Sequence, residues 1–113
     1  MQLRIDRDSV CAGDDVEGHD ELRRYEPQMR FGFVVQSILN SNFLPIFEKG
    51  TAFWVVSVDQ RPIGVVCGKW EKPKFVVDAD SELQSQCRGA PSTLYFHYRF
   101  GEDPEAVFRS LSA

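Results

Sequence analysis

Hydrophobic residues are concentrated in the middle of the chain, where two apolar runs flank a short polar break. The stretch from Ala52 to Cys67 is rich in Phe, Trp, Val and Ile, and the turn-forming residues 59–62, DQRP, interrupt it. β-Branched and aromatic runs on either side of such a break predict a β-hairpin. The first strand of this hairpin is apolar at nearly every position, so we expect both of its faces to be covered.

Two other segments have the pattern of an amphipathic helix. In the segment Arg30 to Asn42, apolar side chains recur at i, i+3, i+4, i+7 and i+8: Phe31, Val34, Val35, Ile38 and Leu39. This spacing places them on one side of a helix that we expect to pack on one face of the hairpin. A shorter helix is predicted over residues 104–111, because residues 103–105, DPE, provide a cap, a proline and an acid for its first turn.

Period-two alternation predicts strands near both ends of the chain. Residues 2–7 alternate with Leu3 and Ile5 on one face, and residues 93–100 carry aromatic side chains on both faces. A weaker strand, exposed or at the sheet edge, is expected over residues 19–25. The predicted fold class is therefore α+β in one domain spanning residues 1–113. We expect a mixed sheet of four to five strands that is packed by one main helix, about 30–42. We also expect a short C-terminal helix, about 104–111.

The order of these elements, two strands, a helix and then three strands, resembles the ubiquitin-like β-grasp fold over residues 2–100. The resemblance implies one helix across a mixed sheet, with the first and last strands side by side at its centre. The last four residues, SLSA, replace the terminal Gly-Gly of ubiquitin and of the small sulfur carriers, so conjugation or carrier chemistry is not implied. Because β-grasp domains also serve as binding modules, this resemblance does not decide the function.

Composition adds an acidic end to this picture. The formal net charge of the chain is −4, and the region from Asp6 to Glu26 carries eight acids and three arginines, a net charge of −5. Asp14, Asp15 and Glu17 lie in a polar loop of this region. A surface of this sign attracts a basic partner protein and repels nucleic acid, so we expect the first kind of partner.

Cysteine usage and the N-terminus predict a cytoplasmic protein. Cys11, Cys67 and Cys87 are odd in number and widely spaced, which favours neither a disulfide framework nor a zinc site. The first residues, MQLRIDRDS, lack the apolar stretch of a signal peptide. No apolar run reaches the roughly 20 residues that span a bilayer, so we expect no membrane partner.

No motif specifies a catalytic reaction, a cofactor or a metal. Cys11 with His19 or His97 would be a nucleophile and a base, but no local signature of a cysteine hydrolase surrounds them. The acids between Asp6 and Glu17 do not have the spacing of a calcium loop. We therefore expect none of the three.

Two features are typical of a protein-binding surface. Residues 69–75, KWEKPKF, interleave bases with aromatics, a composition that also suits single-stranded nucleic acid, but Glu71 and the acidic balance argue against that ligand. Trp70 in such a loop is typical of an interface hot spot. The second feature is an open sheet face, which we expect near Phe53, Trp54, Tyr95 and His97.

The sequence thus favours a non-enzymatic protein-interaction domain. A concrete version is an acidic inhibitor or immunity-type protein that neutralises a basic toxin or nuclease. Two alternatives stay open: a small enzyme or ligand-binding protein with a pocket between the 30–42 helix and the hairpin, and a homo-oligomeric structural domain, possible as a homodimer, that associates through the outer face of the hairpin. The C-terminal helix, the apolar connection Phe43 to Phe47 or another chain must cover that face.

Overall fold

The computed structural model describes residues 1–9, 20–44 and 52–111. The secondary-structure elements are β1 (Gln2–Arg7), β2 (Glu21–Arg24), α1 (Phe31–Asn40), β3 (Phe53–Val58), β4 (Arg61–Val66), β5 (Lys74–Phe75), α2 (Leu83–Gln86), β6 (Ser92–Arg99) and α3 (Pro104–Leu111).

The described strands form one six-stranded mixed sheet in the order β2-β1-β6-β3-β4-β5. β1 and β6 are parallel, and every other neighbouring pair is antiparallel. The α+β class is confirmed, and β2 is an edge strand as predicted. The expected count of four to five strands is too low, because the two-residue β5 pairs with β4. A Cβ at Gly64 would lie 2.7 Å from the ring of Phe75, so the missing side chain lets β5 approach.

The described helices are ten, four and eight residues long, so α1 is only slightly longer than α3. The prediction of one main helix is therefore not confirmed, and the predicted helix over 30–42 is shorter than expected. It ends at Asn40 because Ser41 caps it and Asn42 adopts a left-handed φ of 59°. Within the described ranges, no helix combines the length and the apolar character that crossing a membrane requires.

Helix α1 packs on one face of the sheet through the predicted apolar stripe. Its buried side chains, Phe31, Val34, Val35 and Ile38, join a cluster with Leu3, Ile5, Trp54, Leu94 and Phe96. No side chain caps its first turn. Instead, the backbone N–H of Phe31 donates a hydrogen bond to the carbonyl of Ser81, and that of Gly32 donates one to the carbonyl of Ala79, both at 2.8 Å. Tertiary contacts therefore compensate for a helix of mediocre intrinsic propensity.

Helix α3 covers the second face of the hairpin, which answers the question raised by its two-sided apolarity. Phe53, Val55, Val65 and Cys67 are buried on that face, and the side chains that pack over them are Trp70, Val107, Phe108 and Leu111. Phe43 belongs to the other cluster, on the α1 side. Residues 45–47 of the predicted apolar connection lie outside the described residues.

The substitution Phe108→Ala is expected to destabilise the protein by about 1–2 kcal/mol. This loss is smaller than that of a full core truncation, because the Phe108 side chain is only half-buried. Urea unfolding followed by circular dichroism measures the loss. The matched control is Phe100→Ala, since Phe100 is 70% exposed and its truncation is expected to change stability by no more than about 0.5 kcal/mol. Equal effects of the two substitutions would show that α3 does not seal this face.

Candidate functional site

Among the described residues, those that pack over the second face of the sheet cover its β3–β4 half. Leu94 and Phe96 point toward α1, so the alternating residues of β6 point to the opposite face. Pairing with β1 places Arg4 beside Thr93 and Asp6 beside Tyr95. We call the half-buried side chains of this region the open face, and they are Arg4, Asp6, Thr93, Tyr95 and His97. No helix of the described ranges packs over them.

Tyr95 and His97 form an aromatic pair at the centre of the open face, with ring centroids 4.5 Å apart. The Tyr95 hydroxyl donates a 2.7 Å hydrogen bond to Oδ1 of Asp8. The other oxygen of Asp8 accepts a 2.8 Å hydrogen bond from the backbone N–H of Tyr98. Burial and the nearby carboxylates of Asp8 and Asp6 raise the pKa of Tyr95. The phenol therefore stays protonated and serves as a fixed donor, not as a base.

Asp59 holds the end of the open face at the tip of the β3–β4 hairpin. Asp59 and Gln60 have φ angles of 49° and 70°, the left-handed pair that a tight two-residue hairpin turn requires. The Asp59 carboxylate accepts hydrogen bonds from the Thr93 N–H at 2.9 Å and the Ser92 hydroxyl at 2.7 Å, and a weaker one from the Arg88 N–H at 3.2 Å. Burial acts to raise the pKa of Asp59, but these donors outweigh it and lower that pKa.

A shallow depression of about 480 Å³ lies between this turn and the aromatic pair. Its lining residues are Asp59, Gln60, Thr93, Tyr95 and His97. The arrangement offers an aromatic floor beside an ionised carboxylate. Such a surface suits recognition of a partner better than proton transfer, because its tyrosine keeps its proton and its carboxylate is held in the charged state.

Of the residues proposed from sequence that lie within the described ranges, the structure brings together Tyr95 and His97. Trp54 requires a correction: it is 3% exposed and packs edge-on against Tyr98 at 5.5 Å, on the α1 face. Adjacent strand residues point to opposite faces, so Phe53 and Trp54 cannot share a surface. Phe53 is 1% exposed beneath α3, so the sheet face expected near it is closed at that point.

Trp70 is half-buried by the domain itself. It packs with α3, and Nζ of Lys74 lies 4.5 Å from its ring centroid. The same ammonium group pairs with Glu105 on α3. Lys74 and Trp70 of this loop therefore contact each other. The remaining candidates, Asp14, Asp15 and Glu17, lie outside the described residues, as do Cys11 and His19.

Sequence reasoning missed Asp8, Asp59 and Thr93 as parts of this site. Strand alternation was a usable signal for Thr93, which shares a face with Tyr95 and His97. The contacts of the two aspartates were not readable, because Asp8 meets Tyr95 across 87 positions of sequence and Asp59 meets Thr93 across 34.

A second depression lies between α1 and the hairpin, where the ligand-binding alternative expects a pocket. This cleft measures about 170 Å³, and its walls include Leu39, Leu44, Trp54 and Val66. Its polar lining includes Gln36 and Asn40, which are joined by a 3.0 Å hydrogen bond. His97 lies on the other face of the sheet. The cleft can therefore hold a small apolar group. Its lining also includes the buried Cys67 and the exposed Glu71.

Metal-ligand chemistry and thiol chemistry gain no support from the described ranges. No three His, Cys, Asp or Glu side chains there are grouped as a metal site requires. Cys67 is 8% exposed. Burial raises the pKa of the Cys87 thiol, which disfavours the reactive thiolate.

Replacing Asp59 with Asn is expected to destabilise the protein by about 1 kcal/mol at pH 7, because the amide keeps the left-handed turn but weakens the hydrogen bonds from Ser92 and Arg88. Because its pKa is lowered in the folded state, the charged Asp59 stabilises the fold above the ordinary value of 3.8. The stability difference between wild type and variant should therefore vanish as the pH falls through the folded-state pKa.

Urea unfolding between pH 7 and pH 2 measures this difference. Asp80→Asn is the control, since that side chain is 79% exposed and makes only a long contact, 3.9 Å, with Arg30. A difference between wild type and Asp59→Asn that persists unchanged at the acid end would contradict the assignment.

Comparisons with protein-family models, with curated proteins and with solved structures found no match for this chain.

Proposed function

We propose that this chain is a non-enzymatic, cytoplasmic protein-interaction domain that binds a basic partner protein through the open face. The observation that supports this most is the aromatic pair of Tyr95 and His97, 4.5 Å apart on a rigid sheet, beside the fixed carboxylates of Asp8 and Asp59. Aromatic side chains with polar tips are favoured at protein interfaces, because they bury a large area at low entropic cost.

The charges around the open face favour a basic partner. Arg4 of the open face and the nearby Arg99 are already paired, Arg4 with Asp20 and Arg99 with Glu102, each at 2.8 Å. Within the described part of the chain Asp59 forms no such ion pair, and its N–H and O–H donors hold it ionised. The carboxylate of Asp59 therefore stays available to attract positive charge on a partner.

The acidic loop residues add to this argument through the connectivity of the chain. Residues 10–19 follow Asp8 and Ser9 directly, and they include Asp14, Asp15 and Glu17 but no Lys or Arg. Three further negative charges are thus covalently attached at the end of β1 that borders Tyr95. Opposite charge accelerates encounter with a basic protein, as an inhibitor or immunity-type protein needs.

We further infer that the chain is a variant of the β-grasp arrangement. The parallel pairing of β1 with β6, both inside the sheet, and the position of α1 after the second strand support this inference. β-Grasp domains often act as binding modules, and this precedent agrees with the proposed function without deciding it.

The cleft between α1 and the hairpin favours a second candidate function, binding of a small apolar ligand. Its volume of about 170 Å³ and its lining of Leu39, Leu44 and Val66 suit such a molecule. Leu39→Trp would fill the cleft and leave the open face unchanged. A small ligand that co-purifies with the wild-type chain and is lost with Leu39→Trp would favour this candidate, provided that no protein partner is captured.

Replacing His97 with Arg is expected to weaken binding of the captured partner by about tenfold or more, because it adds a positive charge at the centre of the open face. The experiment captures partners from the native cell on the immobilised chain and then measures each affinity by calorimetry. Binding should also weaken as salt rises, since opposite charges contribute to it.

The matched control is Gln84→Arg, which adds the same charge at an exposed position of α2 and is expected to leave the affinity within about twofold. Partners that are not basic, or that bind His97→Arg as tightly as the wild-type chain, would contradict the proposal.

A further inference from the structure

Strand β2 is the outermost strand at one end of the sheet formed by the described residues. Its described neighbour is β1 alone. Tyr25 and Met1 exchange hydrogen bonds in both directions, at 2.9 Å and 2.6 Å. Because this pattern alternates along an antiparallel pair, Arg23 also bonds inward to Leu3, whereas the N–H and C=O groups of Leu22 and Arg24 point outward. This edge can accept another strand.

The charges along this edge are self-complementary. Residues 20–24, DELRR, carry two acids, a leucine and two arginines in that order. Read in the opposite direction, the segment has a positive charge wherever the forward segment has a negative one, and the reverse. If it pairs antiparallel with a copy of itself and Leu22 lies opposite Leu22, then Glu21 faces Arg23 and Asp20 faces Arg24. By symmetry each pair occurs twice, which gives four opposite-charge pairs across one short ladder.

The same charges oppose the neighbouring registers. Only registers that place outward-pointing residues opposite each other keep the ladder hydrogen bonds, so the alternatives are shifted by two residues. One of these registers puts Arg23 of one copy opposite Arg23 of the other copy. The second register does the same with Glu21. Like charges directly opposite each other are destabilising. The charge pattern therefore specifies the register centred on Leu22.

The side chains involved are accessible. Leu22 is 51% exposed, unusual for a leucine in a strand, and it would meet its symmetry mate at the centre of the ladder. The Glu21 carboxylate is 43% exposed and lies 2.6 Å from the Arg23 guanidinium of its own chain. Exchange of this pair for the equivalent pair in a second copy rotates the Arg23 side chain, which is 26% exposed, away from its 3.1 Å hydrogen bond to Ser41 and from the ring of Phe43.

We propose that two copies of this chain associate through antiparallel pairing of β2 with β2, with Leu22 on the two-fold axis, so that the two sheets become one. The contact is small, since only residues 20–24 take part, and small interfaces are typical of weak, transient association. The dimer should therefore form at high protein concentration and weaken as salt rises.

Sedimentation equilibrium over a range of concentrations tests this surface. The single substitutions Glu21→Arg and Arg23→Glu each place like charges opposite each other, and each is expected to weaken dimerisation at least about tenfold. An equimolar mixture of the two variants should recover the dimer as a heterodimer, and so should the double variant that carries both changes in one chain.

A second variant separates the backbone contribution from the charges. Leu22→Pro removes an N–H that points away from β1, so the fold is expected to survive while the dimer is lost. Circular dichroism checks the fold of every variant. A chain that stays monomeric at about 1 mM would overturn the proposal. A dimer that is insensitive to both the charge reversals and the proline would also overturn it.

Discussion

The rest of the structure depends on the position of β6 between β1 and β3. The last strand pairs parallel with the first and antiparallel with the third, so residues from both ends of the chain meet at the centre of the sheet. Leu94 and Phe96 are completely buried on one side of this strand, and that side forms the core with α1. Strand alternation then sends Tyr95 and His97 to the other side. The core and the candidate site are therefore two faces of the same eight residues.

Only part of the outer face needs a cover from within the chain. Over β3 and β4 this face is apolar, with Phe53, Val55 and Val65 buried beneath α3. Over β6 and β1 it consists of polar and aromatic side chains that tolerate water. The boundary falls between Val55 and His97, which are direct neighbours across the β3–β6 pairing. This division leaves β6 half-buried on its outer face, whereas β3 is buried on both faces.

Local patterns predicted the elements with strong periodicity, because hydrophobic spacing alone decides them. The stripe of α1, the alternation of β6 and the proline start of α3 all belong to this class. The prediction failed where length or partner mattered more than pattern. β5 has two residues, too few for a periodic signal, and it depends on the close approach that Gly64 permits. The two-sided apolarity of β3 predicted cover on both of its faces, and Phe53 and Trp54 are both buried. The open face expected near these two residues therefore does not extend to β3.

The central claim is that the outer face is sealed over the hairpin and open over β6, and hydroxyl-radical footprinting read by mass spectrometry tests it most directly. Oxidation rates of the folded protein are divided by those of the urea-unfolded chain, which removes intrinsic differences between residue types. We expect Tyr95 and His97 to retain a substantial part of their unfolded-state reactivity, while Phe53 and Trp54 are almost fully protected. Protection of Tyr95 and His97 equal to that of Phe53 would contradict the account.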